Sequence, residues 1–243
     1  NVFIFAKPRH SFKHFVFGNR GSVGNTAETF KLTADITTLS GGEFLKLISS
    51  EDTVWVLQNN APKTETVISY AKKALSNLAN SLKDTKLFSN IAGYIRPFFT
   101  LDSCSGYKLT MRGTLDGNVI VSSDFMFVTC NYAKEGAQYG LNITMLFDME
   151  TFTIYELNID TTYLTDSVTG SEISIPYEQE LYGRTEYSDS YRQELYDALI
   201  KYWGVSSDSI TVKASSESFS INICPQPFLE YSKINNEQFD YYG

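Results

Sequence analysis

The sequence predicts an α+β fold: an antiparallel four-strand meander packed against one helix, with a smaller C-terminal helix-plus-strands section. Three observations carry this. Residues 64–83 repeat apolar positions at three- and four-residue spacing, the period of a helix. Residues 107–160 alternate apolar and polar positions in four runs separated by turn signals, the period of half-buried strands. Residues 190–223 then hold a helical stripe followed by two short apolar runs.

The elements follow in order. Asn1–Phe17 is two apolar pieces around a basic stretch that contains Pro8, which rules out one continuous central strand. Gly18–Asn25 is a glycine-rich loop. Phe30, Leu32, Ala34 and Ile36 alternate in a predicted strand over Thr29–Leu39, which Gly41-Gly42 breaks. Thr53–Leu57 is a second short strand. In the helix over Thr64–Lys83, the stripe Val67, Ala71, Leu75, Leu78 and Leu82 is expected to pack on the meander. Pro62 suits its start.

Tyr107–Leu115 and Val119–Cys130 are read as a hairpin about Asp116-Gly117, since both central residues of a type I′ turn need positive φ. Tyr139–Phe147 and Thr153–Ile159 complete the meander across a turn at Asp148–Glu150. Thr161–Tyr187 is polar and acidic and is read as loops with a short strand near Ile173–Ile175. Ser190–Trp203 is the second helix, with Ser190 and Gln193 as a capping box and Gly204 at C′. Ile210–Val212 and Phe219–Ile223 are short strands. The expected organisation is a basic N-terminal arm and loop over 1–25 and an α+β core over 26–160. Residues 161–243 pack on that core or form a small second subdomain.

Charge is segregated along the chain. Residues 1–31 hold five Lys/Arg against one acid, a net of +4, and residues 147–243 hold five against seventeen, a net of −12. The whole carries −8. An acidic chain does not suit the phosphate backbone, so nucleic acid is not the expected partner. Aromatics make up 14% and charged residues 20%, with Ser, Thr, Asn and Tyr filling the difference. That mix is common in secreted, surface and virion proteins, and an extracytoplasmic place is expected. No run reaches the ~20 apolar residues of a membrane span. The sequence begins at Asn1, as a processed or trimmed chain would.

Chemical motifs are sparse. Leu39–Glu43 spells LSGGE, which resembles the signature loop of ABC-type ATPases, but no GxxxxGK[ST] and no strand ending in Asp-Glu accompany it. The simpler reading is a Gly-Gly turn with Ser40 as a helix cap. His10 and His14 are four apart, yet Pro8 disfavours a helix there, and Lys7, Arg9 and Lys13 repel a cation. Lys7, Arg9, His10, Lys13 and His14 are instead read as a basic partner-binding arm. No G-x-S-x-G occurs, and no catalytic residue, metal ligand or cofactor is assigned. Asn142-Ile143-Thr144 is a glycosylation sequon on a predicted strand.

Cys104 and Cys130 are a candidate disulfide. A three-residue loop at Asp116-Gly117-Asn118 would pair Leu115 with Val119 and Cys104 with Cys130. A two-residue loop would put Thr129 opposite Cys104 instead. The bond would close a loop of about 25 residues and add a few kcal/mol. Cys224 is left free in this reading.

The first functional expectation is a non-enzymatic extracytoplasmic or shell-type binding and assembly module. It would work by protein–protein contact or self-association through the basic arm and the acidic last third. The alternative is a carboxylate-using hydrolase of a neutral polymer such as a glycan. Asp116, Asp124, Asp148, Glu150, Glu156 and Asp160 would supply its acids, and Trp55 and Trp203 its stacking platforms. A third is a small-molecule pocket between the 64–83 helix and the sheet.

Overall fold

The structure is a computed structural model, and it describes residues 39–50, 53–58, 62–95, 100–133, 140–161, 175–183 and 188–223. The arm residues Lys7, Arg9, His10, Lys13 and His14, the strand read over 29–39 (but for Leu39) and Cys224 lie outside the described residues. The fold is α+β with one antiparallel sheet. Chain order is α1 (Gly41–Ile48), β1 (Val54–Leu57), α2 (Thr64–Leu82), α3 (Lys86–Ile95), β2 (Thr100–Leu115), β3 (Asn118–Ala133), β4 (Leu141–Asp148), β5 (Ile154–Asp160), α4 (Tyr177–Tyr182), α5 (Ser188–Trp203), β6 (Thr211–Ala214) and β7 (Ser218–Asn222).

The meander is β2 to β5, but the sheet has seven strands in the order β1-β2-β3-β4-β5-β7-β6. The sequence predicts the four-strand meander and the short strands near 53–57, 210–212 and 219–223, but not that these join one sheet. β1 pairs with β2 and β7 with β5, so the short C-terminal strands extend the same sheet. An edge strand with an apolar face gains backbone bonds and burial by accepting another strand, which is why the short runs join it.

Local sequence explains most elements. Ser40 caps α1 in a complete box: its hydroxyl accepts from the Glu43 amide, and the Glu43 carboxylate accepts from the Ser40 amide. Hydrogen bonds to the carboxylate from the Ser40 amide first, and then from the Ser40 hydroxyl, hold Glu43 below its ordinary value. Gly41 and Gly42 thus open a helix. Gly41 is needed for close approach, because a Cβ there would sit 2.2 Å from the Trp203 carbonyl oxygen. Asp116 (φ 50) and Gly117 (φ 79) form the two-residue turn of the β2–β3 hairpin. Gly204 (φ 67) ends α5, and its amide bonds the Ile200 carbonyl. α5 starts at Ser188, ahead of the Ser190 expected as its cap, and the Gln193 side-chain amide donates to Asp197.

α2 and α4 pack on the sheet, α5 bonds to β5 through Tyr202 and Trp203, and α3 packs on α4 and α5. α2 buries Val67, Ala71, Ala74, Leu78 and Leu82, while Leu75, expected in that stripe, is only partly buried. α3 was not foreseen, although Leu87 and Ile91 have helical spacing and are fully buried. α4 occupies part of the stretch read as loops, burying Tyr177 and Leu181. Ile175, expected in a short strand, is buried but not in one; residues 173–174 lie outside the described set. The β4–β5 turn is tied to α2: the Asn77 amide donates to the Thr151 and Phe152 carbonyls, and Tyr70 meets the Phe152 ring edge-on at 5.5 Å.

Candidate functional site

Strand register sorts the sheet's side chains into two faces, because directly opposite residues share a face. The row Cys104, Cys130, Ile143, Ile159 and Phe219 is buried, and so is Val128, Met145, Leu157, Ile221 and Val212 beside it. This face takes α2: a Cβ on Gly106 would sit 2.8 Å from Val67 Cγ1.

The opposite face carries a polar row on five strands: Ser103, Asn131, Asn142, Asp160 and Ser218. Ser103 and Asn131 are exposed and the other three partly so. Asn142 Nδ2 donates to Asn131 Oδ1 at 2.7 Å, and Asn131 Nδ2 donates to Ser103 Oγ at 2.9 Å. This chain of bonds fixes the amides as a line of donors and acceptors. A second row, Ser105, Thr129, Thr144, Asn158 and Ser220, runs beside it. Beyond that lie Leu146, Glu156 and Asn222, all buried. The Asn158 amide donates to Glu156 Oε1 at 2.9 Å. Among the described residues the Asn222 carboxamide, fully buried, has no hydrogen-bond partner.

Burial pushes the Asp160 carboxyl up from its ordinary value. A carboxyl whose native value lies above the unfolded one is penalised on ionising only in the folded state. Its contribution to stability is present below the unfolded value, near ~3.9, and is lost as pH rises through the native value. Asp160→Asn is therefore expected to raise the thermal midpoint at neutral pH, with the gain shrinking in acid. Calorimetry of both proteins across pH checks this; an unchanged or lower midpoint at pH 7 counts against it.

Among the described side chains, the acids read as hydrolytic candidates are spread over separate turns and strand positions. Asp116 sits at the hairpin turn and pairs with Lys46 at 3.6 Å, both exposed. Asp148 Oδ1 accepts from the Glu150 and Thr151 amides and shapes the β4–β5 turn. Asp124 lies on β3, with its side chain outside the described set. Glu156 and Asp160 share a face of β5 four residues apart, about 13 Å by strand rise, whereas paired glycosidase carboxyls stand roughly 5–10 Å apart. Of the two tryptophans, Trp203 is buried and Trp55 partly so. Trp203 is 4% exposed and its indole donates to the Ile154 carbonyl, and Trp55 packs edge-on against Phe44 and Phe125. Burial of these rings is what the apolar surroundings favour. Among the described residues no group of three or more His, Cys, Asp or Glu could hold a metal ion, and no helix is long and apolar enough to cross a membrane.

Acids of the last third gather on α4 and α5. Glu178, Asp189, Glu194 and Asp197 are exposed there. Arg192 is engaged by Asp189 at 2.8 Å, and Glu180 binds Asn90 and Tyr94 of α3. The sequence could show this acidity but not which surface collects it. The polar sheet row was missed for a like reason: each strand's alternation was legible, but the register that aligns five strands was not. Comparison with protein-family models, curated proteins and solved structures finds no match.

Proposed function

We propose that this chain is a non-enzymatic binding and assembly module, extracytoplasmic or of the shell type. It associates through its basic segment Lys7–Arg20 and the acidic outer side of α4 and α5. The observation that carries the reading is the exposure of Glu178, Asp189, Glu194 and Asp197 on those helices, set against the +4 charge of residues 1–31. Opposite fields steer association and are screened by salt over about 10 Å at 0.1 M. Each exposed pair contributes only about 0–1 kcal/mol, so several must act together. The partner surface belongs to a neighbouring copy or to another acidic protein, and nucleic acid is disfavoured by the net charge of −8.

Deleting residues 1–20 tests this. At low salt the intact chain is expected to show a higher native mass, or a higher thermal midpoint if the segment docks on its own chain. Both differences are expected to fade at about 0.5 M salt, where the screening length falls toward 3 Å. The double variant Glu194→Lys, Asp197→Lys should reproduce the deletion. If deletion changes neither mass nor midpoint at low salt, the basic segment has no such role.

A further inference from the structure

We propose that Cys104 and Cys130 are a dithiol–disulfide site whose closure locks the register of the β2–β3 ribbon. The two residues are directly opposite in the ladder, with their sulfurs side by side, 2.6 Å apart. Opposite Cα atoms in an antiparallel pair stand about 4.5–5.5 Å apart, within the roughly 4.4–6.8 Å a disulfide spans. No other strand has to move for the bond to form.

The register here is delicately set. The turn pairs Leu115 with Asn118, the two-residue arrangement that alone would place Thr129 against Cys104. A β-bulge between Leu109 and Met111 inserts one residue of β3, and from Leu109 onward the pairing becomes the one that aligns the cysteines. A second shift between Leu101 and Ser103 bounds the segment on its other side. Losing the first bulge would slide β2 by one residue against β3 and set its polar positions beside apolar ones. A bond between Cys104 and Cys130 forbids that slide.

The chemistry needs a disulfide oxidant such as oxidised glutathione. Cys104, at 8% exposure against 1% for Cys130, is the outer thiol. Hydrogen bonding from Cys130 lowers the Cys104 thiol and leaves the proton on Cys130. The Cys104 thiolate attacks the oxidant, whose S–S bond breaks and whose first thiolate leaves and takes up a proton. Cys130 then loses its proton and attacks the Cys104 sulfur, expelling the second glutathione. One protein dithiol becomes one disulfide and one glutathione disulfide becomes two thiols.

The test uses the full folded chain. It is incubated with excess oxidised glutathione, denatured, alkylated with a maleimide and weighed intact. The expected result is loss of two of the three alkylatable thiols, a peptide joining Cys104 to Cys130, and full recovery of three after dithiothreitol. Cys224→Ser should fall from two alkylatable thiols to none. Amide hydrogen exchange at residues 103–109 is expected to slow at least tenfold on oxidation. Two thiols surviving in Cys224→Ser, or a bridge to Cys224 in the full chain, overturns the site. Unchanged exchange after a confirmed bond overturns the register lock.

Discussion

Phe44→Ala is expected to destabilise the fold by about 3–5 kcal/mol, the range for truncating a buried phenylalanine. Phe44 is fully buried on α1 and stacks on Tyr155 of β5 at 3.9 Å, nearly parallel. Phe125 of β3 and Trp55 of β1 complete the cluster at 5.6 and 6.4 Å. One ring therefore ties an eight-residue helix to three separate strands. Truncation removes its apolar area from the core and leaves a cavity that its three ring partners cannot fill. Urea unfolding of the variant, with exposed Lys46→Ala as reference, measures the loss. A cost below about 1 kcal/mol would show that α1 is not integral to the core.

Leu78→Ala is expected to cost about 2–5 kcal/mol, and Leu75→Ala at least about 1 kcal/mol less. Sequence periodicity put Leu75 in the packed stripe of α2. The structure buries Ala74 there and leaves Leu75 only partly covered, while Leu78 is 1% exposed. Ala74 and Leu75 both have the apolar spacing, but adjacent helical positions differ by about 100° in direction, and the structure centres the stripe on Ala74 with Leu75 at its margin. The small Ala74 lets α2 come close to its neighbours, a choice made by the opposing surface. Chemical denaturation of both variants decides it: equal losses would restore the stripe read from periodicity.

The basis of the cysteine alignment is also instructive. From the sequence, a three-residue loop would bring Cys104 opposite Cys130 and a two-residue loop would put Thr129 there. The turn has two residues, and the bulge near Leu109 restores the alignment. The pairing was legible and its cause was not, because a bulge is stabilised by packing on both faces of the sheet rather than by a local signal. The α3 helix shows the converse. Leu87 and Ile91 have the spacing of a helix, a local signal that the sequence carried without its being read.

The sequence alone determined the class of the fold, the Asp116-Gly117 turn, the four meander strands, both long helices and the segregation of charge. Each follows from local period, turn chemistry or composition, which act over a few residues. The tertiary structure decided what depends on contacts distant in the chain. It joined β1, β6 and β7 to one sheet, buried Trp203 and packed Trp55 partly against the core. It also aligned Ser103, Asn131, Asn142, Asp160 and Ser218 across five strands. Strand order and register minimise exposed apolar area and unpaired backbone over the whole sheet at once, and no single segment carries that information.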